Sequence, residues 1–401
     1  MTEPRINRLL PYGRHLVEAD DIEAVVEVLR GDWLTTGPAV RQFEAAFAAR
    51  VGAEHAIACN SGTAGLHLAA MALDLGPGDV AVVPTMTFLA TANAVRMTGA
   101  EVSFADVDPE TGLLTAATLA AALDRTTQGR AKAVLPVHLG GGVVDLPEIA
   151  RLAAERGLAV IEDACHALGA VQDGHRIGAC AHSRLAVFST HPVKTITTGE
   201  GGMVTVNDAA VAQRMMRLRS HGMEHDPLRW QDESAGFDSG APAPWYYEMS
   251  EIGWNYRLPD FACALGTRQL AKLDRFLARR SALAARYDDL LAPLAPHIRP
   301  PARSSAEQPG WHLYAARIDF AALGLTRGEV MRKLRGRGIA TQVHYIPVHG
   351  QPYYRQRYGR LDLPGAEAYY RRTLSLPLFP GMEDGEVDRV VAALAASAGL
   401  D

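Results

Sequence analysis

Short apolar runs alternate along the first half of the chain with longer stretches whose apolar positions recur at helical spacing. Residues 20–50 read as helical, interrupted by Gly31-Asp-Trp-Leu-Thr-Thr-Gly37-Pro38. From there the pattern predicts strands at 56–59, 80–83, 101–107, 133–137, 159–161, 185–189 and 203–206. Helices are predicted between them, one opening at Ser61 and others over 87–98, 115–123 and 146–156. Short apolar strands alternating with helices make an α/β fold, a mainly parallel sheet sandwiched by helices. Such sheets bind ligands at the carboxyl ends of their strands. Ser61, Phe88, Asp163 and Ser189 fall at or just past predicted strand ends, so one edge of the sheet should gather all four.

The pattern changes after residue 206. Residues 224–245 are rich in Asp, Pro, Gly and Trp and read as a long loop. Phe261, Leu265, Leu270, Leu273, Leu277 and Leu283 then mark a helical stripe. Prolines across 296–309 mark a connection, and the stretches 311–318, 326–337 and 341–345 suggest a smaller α+β domain. The expected division is a large domain over 1–255, then a long linking helix and small C-terminal domain over 256–401.

Composition narrows the class. With 48% hydrophobic and 21% charged residues among 401, the chain reads as a soluble globular protein. Its formal net charge of −5, with Lys and Arg spread along the sequence, gives no electrostatic case for nucleic acid. Cys59, Cys165, Cys180 and Cys263 form no CxxC pair and read as reduced, mostly buried thiols. Residues 1–7 are polar with no apolar signal segment after them, and no apolar run approaches a membrane span. A cytoplasmic protein without membrane association is expected, and no set of metal ligands stands out.

Two segments carry the chemistry. Val160-Ile-Glu-Asp163-Ala-Cys-His166 ends an apolar run on a carboxylate, and Phe188-Ser189-Thr-His-Pro-Val-Lys194 leads into Thr198-Gly-Glu-Gly-Gly202. Taken singly, the aspartate is most often a cap or salt-bridge partner, and the lysine a solvated surface charge. Together they supply what pyridoxal 5'-phosphate (PLP) needs. Lys194 offers an amine for a Schiff base, Ser189 a hydroxyl for the phosphate, and Asp163 a carboxylate to keep the ring nitrogen protonated. Lysine also changes its pKa readily when desolvated, which suits a nucleophile and base.

Asn60-Ser61-Gly62-Thr63-Ala-Gly65 lies at a strand-to-helix turn, where free N–H groups and the helix dipole attract anions. Alternatively, Ser61 or Thr63 simply caps the helix. Phe88 is placed either to stack on a pyridine ring or to pack in the core. His166 is placed to pack against the ring, to contact its phenolic oxygen, or to serve structurally. Gly253-Trp-Asn255-Tyr-Arg257 offers an amide and a guanidinium for a phosphate or acidic substrate, or for a salt bridge at a helix start. His344-Tyr345-Ile-Pro-Val-His349 is a further polar and aromatic cluster.

With Pro11-Tyr12-Gly-Arg14, Asp32-Trp33-Leu-Thr35-Thr-Gly-Pro38 and Ser375-Leu-Pro-Leu-Phe-Pro380, these segments carry a resemblance that runs nearly end to end. The chain resembles the sugar-nucleotide aminotransferases of the DegT/DnrJ/StrS family, which have the fold-type-I PLP architecture. The resemblance implies that Lys194 is the Schiff-base lysine and proton shuttle, Asp163 the pyridinium partner and His166 its neighbour on the ring. It implies that Gly62, Thr63 and Ser189 hold the phosphate and that Phe88 contacts the cofactor. Asn255 would reach the phosphate from a second subunit, which implies a homodimer with shared active sites. Tyr12, Trp33, Thr35, Arg257, His344 and Tyr345 are implied on the substrate side. A lysine at 194 disfavours the family's dehydratase-like members, which carry histidine there.

Within the family, His191-Pro-Val-Lys194, Arg219-Ser-His-Gly-Met223 and Gln342-Val-His-Tyr-Ile-Pro-Val-His349 look most like one branch. That branch is the UDP-4-amino-4,6-dideoxy-N-acetyl-β-L-altrosamine transaminases of pseudaminic acid synthesis. It implies amino transfer from L-glutamate to C4 of UDP-2-acetamido-2,6-dideoxy-β-L-arabino-hex-4-ulose. The alternatives are another nucleotide ketosugar, or a non-catalytic PLP-binding sensory protein of the same fold. One departure is Leu139-Gly-Gly-Gly-Val-Val144, where relatives usually carry Gly-Gln-Pro.

Overall fold

The computed structural model describes residues 9–127, 129–304 and 308–400; the polar start at 1–7 and part of the connection at 296–309 lie outside them. Seven strands form the central sheet: β1 (His55–Cys59), β2 (Asp79–Pro84), β3 (Glu101–Ala105), β4 (Arg130–Val134), β5 (Ala159–Asp163), β6 (Leu185–Ser189) and β7 (Gly202–Val206). Their spatial order is β1-β7-β6-β5-β4-β2-β3. β7 runs antiparallel to both its neighbours, β1 and β6. The other adjacent pairs are parallel. Strands such as Leu185-Ala-Val-Phe188 are buried throughout, because helices cover both faces of the sheet.

Those helices are α1 (Ala19–Arg30), α2 (Pro38–Val51), α3 (Gly62–Ala72), α4 (Leu89–Met97), α5 (Ala116–Asp124), α6 (Leu146–Glu155) and α7 (Ala209–Arg219). α3 packs against β6 and β7, and its sequence Leu66-His-Leu-Ala-Ala70 is buried all round. A helix apolar on every side belongs in the middle of a structure, and this one projects its N-terminus to the sheet's carboxyl edge.

The helical stripe at 261–283 is two helices, α8 (Asp260–Ala271) and α9 (Leu273–Leu291), meeting at Lys272. α8 packs on α1 and α2, while α9 continues into the second half of the molecule. Asp260 is fully buried and accepts hydrogen bonds from the amides of Gly37 (2.9 Å) and Ala39 (3.1 Å), capping α2 from 221 positions away in sequence.

A three-stranded antiparallel sheet, β8 (Ile298–Arg299), β9 (Tyr314–Ile318) and β10 (Thr373–Leu376), forms the C-terminal part with α10 (Arg327–Gly336) and α11 (Asp384–Ala398). Residues 341–345 hold no strand; Gln342 makes a single bridge to Ser375. β4 also stops before 137, since Pro136 has no amide to donate and Val137 keeps one bridge to Asp163. The stretch 224–245 is not all loop. It takes part in two-residue ladders, too short to leave a periodic signal.

Two apolar cores result. One surrounds the large sheet; the other joins Leu283, Tyr287 and Leu291 of α9 to β9, β10 and α11. α9 belongs to both, because its Leu273, Phe276 and Leu277 lie in the first core.

Candidate active site

At the carboxyl edge of the large sheet lies a cavity of about 640 Å³. From the sheet side it is lined by Gly62, Thr63, Phe88, Asp163, His166, Ser189 and Lys194; from the other side Tyr12, His312, His344 and Tyr345 face them. Strand ends explain the gathering: Asp163 closes β5, Ser189 closes β6, and Ser61 follows β1.

Asp163 is 5% exposed. Its carboxylate accepts hydrogen bonds from the Thr91 hydroxyl (2.6 Å) and the Cys165 amide (3.2 Å), and it has no ion-pair partner among the described residues. A buried carboxylate held only by neutral donors is costly. A protonated ring nitrogen at the cavity wall is the partner this site lacks. Lys194 lies close enough to feel the carboxylate's field, yet burial dominates and lowers its pKa from the ordinary lysine value. The result is an amine that gives up its proton more easily than a surface lysine.

The anion cup is built from α3 and β6. Ser61 is the N-cap, its hydroxyl accepting from the Ala64 amide (3.1 Å), so the capping alternative holds for Ser61. Gly62 and Thr63 remain in the first turn, where backbone amides precede any acceptor of the helix itself. A Cβ on Gly62 would lie 2.9 Å from the Ser189 Cβ and 3.3 Å from the Cys165 sulfur. Glycine lets helix and serine hydroxyl approach closely here and leaves room in this corner where a phosphate would fit.

Phe88 is 55% exposed and packs on Tyr345 at 5.7 Å between ring centroids, so it faces the cavity and not the core. His166 accepts from the Gly140 amide at Nδ1 (3.2 Å) and meets the Tyr345 hydroxyl at Nε2 (3.1 Å). Burial, with Lys194 and His344 nearby, pushes its pKa well below the usual histidine value. His344 is hydrogen-bonded at Nδ1 to the Ser375 hydroxyl (2.8 Å), and burial lowers its pKa to about 3. Burial likewise raises the Tyr12 and Tyr345 phenols.

These residues fit PLP. Asp163 would hold the ring nitrogen, Gly62, Thr63 and Ser189 the phosphate, and Lys194 the reactive carbonyl carbon, with Phe88 and His166 at the ring. Bound there, PLP supplies an electron sink for the carbon that loses its proton.

Four expected residues lie elsewhere in the single chain. Trp33 and Thr35 are exposed on the segment anchored by Asp260, Asn255 is exposed beside Asn60, and Arg257 is half-buried. None of them lines this cavity. Conversely, Thr91, Cys165, His312, Gln342 and Gln351 belong to the site or its walls without having been singled out from the sequence for a role there. Thr91 had one available signal, its place one turn after Phe88 on a predicted helix.

The geometry agrees with the comparisons. The DegT/DnrJ/EryC1/StrS aminotransferase family matches residues 16–395. The spore coat polysaccharide biosynthesis protein SpsC of Bacillus subtilis (strain 168) is 40% identical over 391 residues, 97% of each chain. Helicobacter pylori PseC, an aminotransferase involved in the biosynthesis of pseudoaminic acid, superposes with a TM-score of 0.86 at 26% identity, covering 98% of this chain and 100% of its own. Spr1654 from Streptococcus pneumoniae in its PMP form gives a TM-score of 0.86 at 27% identity, over 97% of this chain and 99% of its own, and its PLP form is also solved. The chain therefore belongs to the DegT/DnrJ/EryC1/StrS aminotransferase family and is a PLP-dependent transaminase.

Proposed function

We propose that this enzyme moves an amino group from L-glutamate to C4 of a 4-keto-6-deoxy nucleotide sugar, with UDP-2-acetamido-2,6-dideoxy-β-L-arabino-hex-4-ulose as the first candidate. The observation that carries the reading is the Lys194 amine facing a cavity of about 640 Å³ opposite an uncompensated Asp163. His191, Glu200, Gln342 and Gln351 add polar groups to the walls, suited to a hydroxyl-rich substrate. The likeness to PseC supports the sugar named. Lys194 takes the proton from the donor's α-carbon and, in the second half-reaction, delivers one to the sugar's C4. The two halves give ping-pong kinetics.

A second ketosugar is favoured by a different observation, the 40% identity to a spore coat polysaccharide protein. A non-catalytic sensory role is opposed by the presence of Lys194, Asp163 and the anion cup in one cavity. The reading includes a homodimer in which Asn255 serves the partner's phosphate. Trp245, Ile252 and Trp254 surround that stretch with 69%, 79% and 44% exposure, an apolar surface suited to a second copy.

The test is an absorbance spectrum of the purified protein before and after L-glutamate. A visible cofactor band that moves towards the ultraviolet, and that the UDP-ketosugar restores, supports the whole reading. Restoration only by other ketosugars moves the assignment to the second reading. A band indifferent to every amino donor ends the proposal.

A further inference from the structure

The segment Leu139-Gly140-Gly141-Gly142 departs from the motif usual among relatives, and its contacts run straight to His166. The Gly140 amide points at His166 Nδ1 across 3.2 Å. An amide can only donate, so Nδ1 must present its lone pair, and a neutral imidazole then carries its proton on Nε2. Nε2 lies 3.1 Å from the Tyr345 oxygen, which must accept that proton's hydrogen bond. The phenol's own proton is thereby free to point elsewhere, and Tyr345 lines the cavity with Lys194.

We infer that the Gly140 amide locks His166 as the neutral Nε2–H tautomer and so turns the Tyr345 hydroxyl into a donor aimed at an oxygen of the bound ligand. Gly141 is the positioning residue of this lock. The Gly140 carbonyl accepts from the amides of His312 and Leu313 (both 3.0 Å), and the Gly141 carbonyl from Gly310 (2.8 Å). Gly141 has φ +98, and a Cβ there would stand 2.4 Å from the Trp311 nitrogen. Only glycine lets the two backbones close up in this way. The same contact seats the His312 ring 4.4 Å from that of His166.

The charged and titratable neighbours agree with a neutral ring. Burial, Lys194 and His344 disfavour a second proton on His166, and burial and His166 disfavour one on His312. Asp163, which could favour one, is engaged by Thr91 and the Cys165 amide; the Cys165 thiol is itself held protonated by burial. A proton arriving at Nδ1 would also have to displace the Gly140 amide.

This inference does not depend on which sugar is aminated, and its test needs none. Histidine labelled with ¹⁵N is read by NMR in the PLP-loaded enzyme, with His166→Gln assigning the resonance. The expected pattern is a protonated Nε2 and bare Nδ1, unchanged through the range in which free imidazole titrates. An Nδ1–H tautomer, or an imidazolium at neutral pH, overturns the inference. In Tyr345→Phe the tautomer should persist while the donor half-reaction slows roughly tenfold, the size of one lost hydrogen bond. A tautomer switch in that variant, or an unchanged rate, refutes the assigned order of donors. Gly141→Ala should scramble the tautomer while PLP absorbance persists. An intact lock in a loaded Gly141→Ala protein refutes the role of the loop, and if that variant does not fold, the other two measurements still decide.

Discussion

At Gly62 a single methyl group would press into the corner proposed to hold the phosphate. Its Cβ would press on Ser189 and Cys165, neither of which can swing away from a strand end and a buried turn. Gly62→Ala should weaken PLP affinity roughly tenfold or more, and the contact with Ser189 should also lower the melting temperature of the cofactor-free protein. Titration of the apoprotein with PLP, followed by absorbance, decides this; wild-type affinity would remove the α3 N-terminus from the phosphate site. The buried histidines make a second expectation. His166, His312 and His344 are all held neutral by burial, below the ordinary value of 6.5. Between that value and the folded one, the unfolded chain binds protons that the folded chain does not, so stability falls as pH falls. Apoprotein stability should be full above about 6.5 and decline below it, with the His344 contribution running down to about 3. A melting temperature that stays flat below the ordinary histidine value would contradict the neutral trio. That Lys194, Asp163 and Ser189 meet in one cavity was legible from residue type and strand-end position. Thr91 and His312 were not, since a hydroxyl on a helix and a histidine in a strand-like run acquire their roles only when β5 and residues 310–313 are brought beside them.

Among the elements, strands buried on both faces were easy to read, and those assembled from single bridges were not. β5 and β6 announce themselves as continuous apolar runs. Residues 341–345, Thr-Gln-Val-His-Tyr, carry no such run; tertiary contact gives them one bridge to Ser375 and sets Gln342, Val343, His344 and Tyr345 on the cavity wall. The break between α8 and α9 is invisible for the same reason: the stripe continues through Lys272, while the partner surfaces change. α2 depends on a partner distant in sequence. Its N-cap, Gly37, has no side chain, and Asp260 supplies the missing acceptor to Gly37 and Ala39. Asp260→Ala should therefore cost about 1–2 kcal/mol in a denaturant titration, the range for a lost N-cap. Asp260→Asn keeps an acceptor and should cost less. Equal losses would mean that the charge and the second acceptor oxygen, which Asn lacks, are what Asp260 provides.

At the scale of the whole molecule, Asn255 lies outside its own chain's cavity. Ile252 and Trp254 flank Asn255 in sequence as exposed apolar residues, and Leu228 and Met249 are 94% and 62% exposed. In the proposed homodimer a second copy would bury these residues and bring Asn255 to the partner's cavity. Two defective variants can separate this arrangement from independent sites. Lys194→Ala lacks the amine, and Asn255→Ala lacks the amide; each homodimer should be inactive or nearly so. Unfolded together and refolded as a mixture, they form hybrid dimers. With shared sites, one cavity of each hybrid takes Lys194 from one subunit and Asn255 from the other and is whole, while its second cavity carries both lesions. Activity should then return to about a quarter of wild type for random pairing in equal amounts. If Asn255 served its own chain, every cavity in the hybrid would still carry one lesion and no activity would return. Separately tagged subunits, purified as the hybrid, make the two outcomes distinct, because the returned activity must travel with the doubly tagged species.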